Sequence, residues 1–291
     1  MTARSGGAEL HEAGPCKTER PDGTGAPATL GVAHRDDIDL WYDVHGSGDT
    51  TVLLLAGAAC QATQWEPAFF EPLIELGHRV IRFDWRDTGL STWADFRDRP
   101  YTVDDLVDDA IAVLDDAQIA AAHLVGFSMG GLIAQGAAVH HPERVRSLTL
   151  LASGYYGGML FEDTDQSRAL AAFFGRPRPG PDELEDWLVE QWRTLAGSRF
   201  EFVDDDWRRR ARAWLARGYN PRCPHLKIPG HEQSLDDPGQ RPERRAELLR
   251  QVRHPTLVVH GDDDGMFTPG NGEAITDHPR CSTGCGPRPR A

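Results

Sequence analysis

The sequence predicts an α/β fold built on a mostly parallel sheet. Three observations carry that prediction: apolar runs of strand length, amphipathic stretches of helical period between them, and the repeated order strand, helix, strand. Strands are expected near Ala28 and over Asp39–Val44, with a turn at Arg35-Asp36-Asp37 and a Gly-rich turn at His45-Gly46-Ser47-Gly48. Thr51–Leu55 is continuously apolar, as suits a strand covered on both faces. Trp65–Leu76 reads as a helix stopped by Gly77, and Arg79–Phe83 as the next strand. Leu106, Val107, Ala110, Ile111 and Leu114 recur at helical spacing behind Thr102, a suitable N-cap. His123–Phe127, Met129–His140 and Ser147–Ala152 then read as strand, helix and strand. The sheet resumes at Pro255–Gly261.

The rhythm breaks between Ser153 and Arg253, where helices are expected near 181–195 and 204–217 among Gly/Pro-rich loops. The resulting division is an extension without periodicity over 1–27, a core over 28–152, a helical lid over 153–253, more core over 254–275, and a tail over 276–291. Trp187, Trp192, Trp207 and Trp214 concentrate in the lid. They serve either to pack its helices together or to line an aromatic pocket beneath it.

Composition narrows the function. The 291 residues carry 31 Lys+Arg against 45 Asp+Glu, a net charge of −14, which disfavours nucleic acid as a partner. No apolar run is long enough to span a bilayer, and the first residues lack the apolar centre of a signal peptide, so a cytoplasmic address is expected. Five cysteines, an odd number, read as free thiols in a reducing compartment. Cys281 and Cys285 lack the further ligands that a zinc site needs, so no metal is expected. The sequence does not indicate an oligomeric state.

Gly126-Phe127-Ser128-Met129-Gly130 has the form G-x-S-x-G between a strand and a helix, the context of a nucleophile elbow. Such a turn forces strained backbone at the serine, and flanking glycines relieve the clashes it would create. It also sets the serine oxygen at a helix N-terminus, where developing negative charge is stabilised. Ser128 is therefore the candidate nucleophile. An oxyanion needs backbone N–H donors, and position selects Met129, after the nucleophile, and Ala58, in the loop after Thr51–Leu55. A serine nucleophile needs a base histidine oriented by a carboxylate, in the chain order Ser, acid, His. Asp262, Asp263 and Asp264 stand together in the loop where the acid belongs.

These motifs, with Arg86-Asp87-Thr88-Gly89-Leu90-Ser91-Thr92, Pro100-Tyr101 and Pro255-Thr256-Leu257-Val258-Val259-His260-Gly261, resemble the α/β-hydrolase superfamily, and within it the aclacinomycin methylesterase-like group. The likeness covers roughly Ala28 to Ile275. It implies a cofactor-free hydrolase of a small-molecule carboxylic ester, such as the methyl ester of a polyketide. It also favours Asp264, three residues past Gly261, as the acid, and makes Asp84 and Arg86 structural anchors. Carbon–carbon bond hydrolysis and perhydrolysis are alternative reactions on the same fold.

The family places its base histidine after one more strand, roughly 25–30 residues past the acid. Here His278 is the only histidine beyond Asp264, and from Thr276 onward no Val, Ile, Leu, Phe, Tyr or Trp occurs. The last strand and helix are therefore expected to be missing, leaving Thr256–His260 as a sheet edge with one face uncovered. Three accounts are open: a truncated or frame-shifted reading past Ile275, which the abrupt change in composition favours; a rearrangement that brings His278 to Ser128; and a non-catalytic binding protein that keeps the fold. His260, at a strand end, is expected to be structural.

Overall fold

The computed structural model describes residues 28–94, 96–156, 163–225 and 241–276, and the backbone of 281–283. Eight strands form one sheet: β1 (Ala28–Arg35), β2 (Ile38–His45), β3 (Thr50–Leu55), β4 (His78–Phe83), β5 (Ala122–Phe127), β6 (Val145–Leu151), β7 (Thr256–Val259) and β8 (Cys281–Thr283). Their spatial order is β1-β2-β4-β3-β5-β6-β7-β8. β1 and β2 pair antiparallel, β2 joins β4 antiparallel, and every later pairing is parallel. The chain order reverses at β3, which lies between β4 and β5. In open α/β sheets such a switch point opens a crevice at the carboxyl ends of the strands.

Helices α1 (Pro67–Glu75), α2 (Val103–Asp116) and α3 (Met129–His140) connect the parallel strands. Thr102 caps α2 in a reciprocal box: Asp105 N–H donates to Thr102 Oγ1 at 3.4 Å, and Thr102 N–H donates to Asp105 Oδ2 at 2.9 Å. α3 is buried continuously from Met129 to Ala138, because small residues let it sit close against β3, β5 and β6. Leu53, Leu54 and Leu55 of β3 are wholly enclosed at the centre of the main core.

Between β6 and β7 lie α4 (Asp165–Phe174), α5 (Leu184–Leu195), α6 (Asp204–Gly218) and α7 (Pro242–Leu249). The sequence pattern pointed to α5 and α6 only. α4 turns just Leu170 and Phe173 fully inward, and α7 is eight residues rich in charge, so neither has a wide apolar stripe. α7 packs on the core helix α3, with the Arg245 guanidinium 4.6 Å from the Tyr156 ring centroid. α8 (Pro269–Thr276), with two glycines in PGNGEAIT, also escapes propensity arguments.

One expectation is corrected. The last strand is not absent, and β7 is not the sheet edge: β8 lies parallel beside it, with Thr256 opposite Cys281 and Val258 opposite Thr283. A strand is admitted to a sheet by its backbone N–H and C=O groups, so three residues without large apolar side chains suffice. No helix follows β8 among the described residues. The expected uncovered face is present, since Leu257 and Val259 of β7 are 38% and 39% exposed.

Candidate active site

Ser128 stands between β5 and α3 with φ 54° and ψ −118°, a conformation that L-residues rarely adopt. The turn is held from both sides. Ser128 N–H donates to the Leu151 carbonyl at 3.0 Å, and Ser153 Oγ donates to the Ser128 carbonyl at 2.9 Å. The neighbouring glycines are required by space: a Cβ on Gly130 would stand 2.1 Å from the Leu55 carbonyl oxygen, and one on Gly126 2.4 Å from that of Gly130. Met129 is the first residue of α3, so its N–H has no acceptor within the helix.

A cavity of about 1120 Å³ lies at the carboxyl ends of β3, β5, β6 and β7. Ala58, Ser128 and Asp264 all line it, so these three expected site residues meet at one cavity. In the loop after β3, most backbone donors are engaged. Gly57 N–H donates to Gln64 Oε1 at 2.8 Å, Ala59 N–H to His225 Nδ1 at 3.1 Å, and Cys60 N–H to the Gly57 carbonyl at 3.2 Å. The Ala58 N–H has no acceptor among the described residues. Cys60 is no rival nucleophile, because burial pushes its thiol up to about 12.

Asp264 Oδ1 accepts the N–H groups of Met266 and Phe267, each at 2.9 Å. Burial raises its carboxyl above the usual range, against the lowering effect of those two bonds and of His260. Asp263 is committed differently, since its Oδ2 accepts from the backbone and hydroxyl of Ser198. His278 lies outside the described residues, as do the side chains of Cys281 and Cys285. The histidine beside Asp264 is His260: its Nε2 is 3.5 Å from Asp264 Oδ2 and 2.5 Å from the Phe267 carbonyl oxygen. A carbonyl can only accept, so Nε2 carries the proton, and Nδ1 has no hydrogen-bond partner among the described residues.

One wall of the cavity is aromatic. Trp192 stacks on Trp207 with ring centroids 4.7 Å apart, and Phe127 stacks on Trp192 at 6.5 Å. Trp192, Trp207 and Trp214 line the space, whereas Trp187 is buried against Phe173. The tryptophans therefore divide between pocket lining and packing. Asp84 and Arg86 are anchors: Asp84 Oδ1 accepts the Ala62 N–H at 2.7 Å, and Arg86 forms two 2.6 Å bonds to the buried Asp109. Sequence reasoning did not find His225 or Gln64. His225 reaches its partner across 166 residues, a separation for which no local pattern exists.

Among the described residues no group of three or more His, Cys, Asp or Glu side chains is placed to hold a metal ion. No described helix is long and apolar enough to cross a membrane.

The chain is 34% identical to rhodomycin D methylesterase DauP of Streptomyces sp. (strain C5), over 84% of this chain and 85% of that protein. It is equally similar to rhodomycin D methylesterase DnrP of Streptomyces peucetius, over 80% and 82%. Among solved structures, a meta-cleavage product hydrolase of Pseudomonas fluorescens IP01 superposes with a TM-score of 0.68 at 22% identity, covering 88% of this chain and 89% of that one. The family model for the alpha/beta hydrolase fold matches residues 50–285. With that match and that topology, this chain belongs to the α/β-hydrolase family.

Proposed function

We propose that this chain is a serine-type carboxylic-ester hydrolase. Ser128 Oγ attacks the ester carbonyl, and the N–H groups of Ala58 and Met129 receive the resulting oxyanion. Asp264 orients a histidine that takes the serine proton and passes it to the leaving alcohol, and His278 is the candidate for that histidine. Water then releases the acid and restores Ser128. The observation that carries this reading is Ser128 itself, strained at φ 54° on the head of α3 in a cavity it shares with Ala58 and Asp264. The helices between β6 and β7 act as a lid. The aromatic wall of Phe127, Trp192 and Trp207 suits a flat, ring-rich acyl group, and the named relatives are methylesterases, so the methyl ester of a polyketide-like acid is the preferred substrate.

A fluorophosphonate probe tests the nucleophile. Label found by peptide mass on Ser128, and lost in Ser128→Ala, supports the reading; a chain that takes no label overturns it. Methanol release from aromatic methyl esters, lost in His278→Ala with binding intact, would assign the base. Carbon–carbon hydrolysis or perhydrolysis would show instead as turnover of diketone or peracid-forming substrates.

A second reading rests on His260. The histidine beside Asp264 has its Nε2 engaged by Phe267, and among the described residues no histidine is hydrogen-bonded to the Ser128 hydroxyl. In that case the fold is a binding protein, and an ester would be held without turnover.

A further inference from the structure

The loop carrying Ala58 is fastened from the far end of the helical insertion. Gln61 Nε2 donates to the carbonyls of Trp214 at 3.0 Å and Gly218 at 2.9 Å, which close α6. Arg217, in the same turn, is buried and pairs with Asp84, the residue that accepts the Ala62 N–H. Beyond α6 the chain returns to the loop and delivers His225, which is wholly enclosed and accepts the Ala59 N–H. Burial holds the His225 imidazole down at about 3, so it is neutral and Nδ1 offers a lone pair. Ala59 itself sits at φ 59°, a conformation that a non-glycine residue keeps only when its surroundings impose it.

We infer that His225 is a positioning residue for the oxyanion loop: by holding the Ala59 N–H it fixes the turn and leaves the Ala58 N–H as the free donor at the cavity. The inference rests on Ser128 being the nucleophile, and it places part of the catalytic geometry in the insertion rather than in the sheet. Hydrogen bonding, burial and backbone strain point the same way. Gly57, Ala59 and Cys60 are each tied, and the tie at Ala59 depends on one side chain 166 residues away.

Fluorophosphonate inactivation of the full chain, resolved into a maximal rate and an apparent affinity, provides the test. In His225→Leu the maximal rate of Ser128 labelling should fall roughly 10- to 100-fold, below the loss from deleting a whole oxyanion donor, with affinity almost unchanged. His225→Asn puts an amide oxygen where Nδ1 stood and should restore most of that rate. If His225→Leu does not fold, His225→Gln, whose oxygen reaches the Nε2 position instead, takes its place as the deprived variant. An unchanged rate in the deprived variant, or an equal loss in His225→Asn, overturns the positioning role while leaving Ser128 in place. A wild-type chain that takes no label overturns the nucleophile reading and this inference together.

Discussion

β3 and β7 are parallel strands of nearly the same chemistry, yet the protein treats them differently. β3 reads Thr-Thr-Val-Leu-Leu-Leu, and its three leucines have no exposure at all. β7 reads Thr-Leu-Val-Val, and only Val258 is buried, with Leu257 and Val259 more than a third exposed. A run of apolar residues specifies that a strand will form and that at least one face wants cover. Whether the second face receives it depends on which helices pack there: α8 packs against β7, yet Leu257 and Val259 stay exposed. The β3 side of the sheet is also tied by buried charge, with Arg82 bonded to Asp43 and to the Trp65 carbonyl.

The largest effect is expected from that buried pair. Arg82→Met leaves the Asp43 carboxylate enclosed without its main partner, and should cost about 3–5 kcal/mol in urea unfolding. Burial by itself would raise the Asp43 carboxyl, but hydrogen bonds from His45 and Arg82 overcome it and hold the group below its ordinary value. The stabilisation is therefore present above about pH 4, the unfolded value, and lost as pH falls through the lowered folded one. Unfolding of wild type and Arg82→Met at pH 7 and near pH 3 should show the gap narrowing in acid. A gap independent of pH would mean that packing, not charge, sets the difference.

A matched pair of truncations measures the comparison itself. Leu54→Ala should destabilise by about 2–5 kcal/mol through the cavity it leaves, and Leu257→Ala by no more than about 0.5 kcal/mol. The exposed face also makes the wild type prone to self-association, which sedimentation should show diminishing in the double variant Leu257→Ser, Val259→Thr. Equal losses in the two leucine variants would show that β7 is covered in solution, by another copy or by the rest of the chain.

The smallest effect on stability falls at Asp264. Asn can keep the Oδ1 acceptor for Met266 and Phe267 while removing a carboxylate whose ionisation burial opposes. The native Asp264 carboxyl is raised, so its ionised form weakens the fold at neutral pH. That penalty disappears as pH falls through the raised value toward about 4. Asp264→Asn should thus match or slightly exceed the wild-type Tm at pH 7, with the difference closing in acid. Under the proposed mechanism the same variant loses turnover, by as much as about 10⁴-fold for a mis-set histidine. A marked fall in Tm at pH 7 would assign Asp264 a structural role instead.

Much of this was legible in advance for a physical reason. The helix Met129–His140 and the cap at Thr102 match the structure because both depend on neighbours within one or two turns. The elbow at Ser128 was readable because strained backbone demands glycines at fixed offsets, and those stand in the sequence. α4, α7 and α8 were not readable, since short helices with few inward residues owe their stability to the surfaces they dock on. β8 escapes the sequence pattern because backbone pairing, not side-chain composition, admits its three residues to the sheet.

Local chemistry along the chain thus determined the α/β rhythm, the serine on its turn and the acidic run after β7. Only the tertiary structure decided that the Ala58 N–H is left without an acceptor among the described residues, that His225 holds the adjacent one, and that His260 lies beside Asp264. It also decided which apolar strand is covered on both faces. Strands, turns and caps follow from interactions over a few residues, which sequence records directly. Loop support and burial depend on contacts between segments far apart in the chain, and no local pattern encodes those.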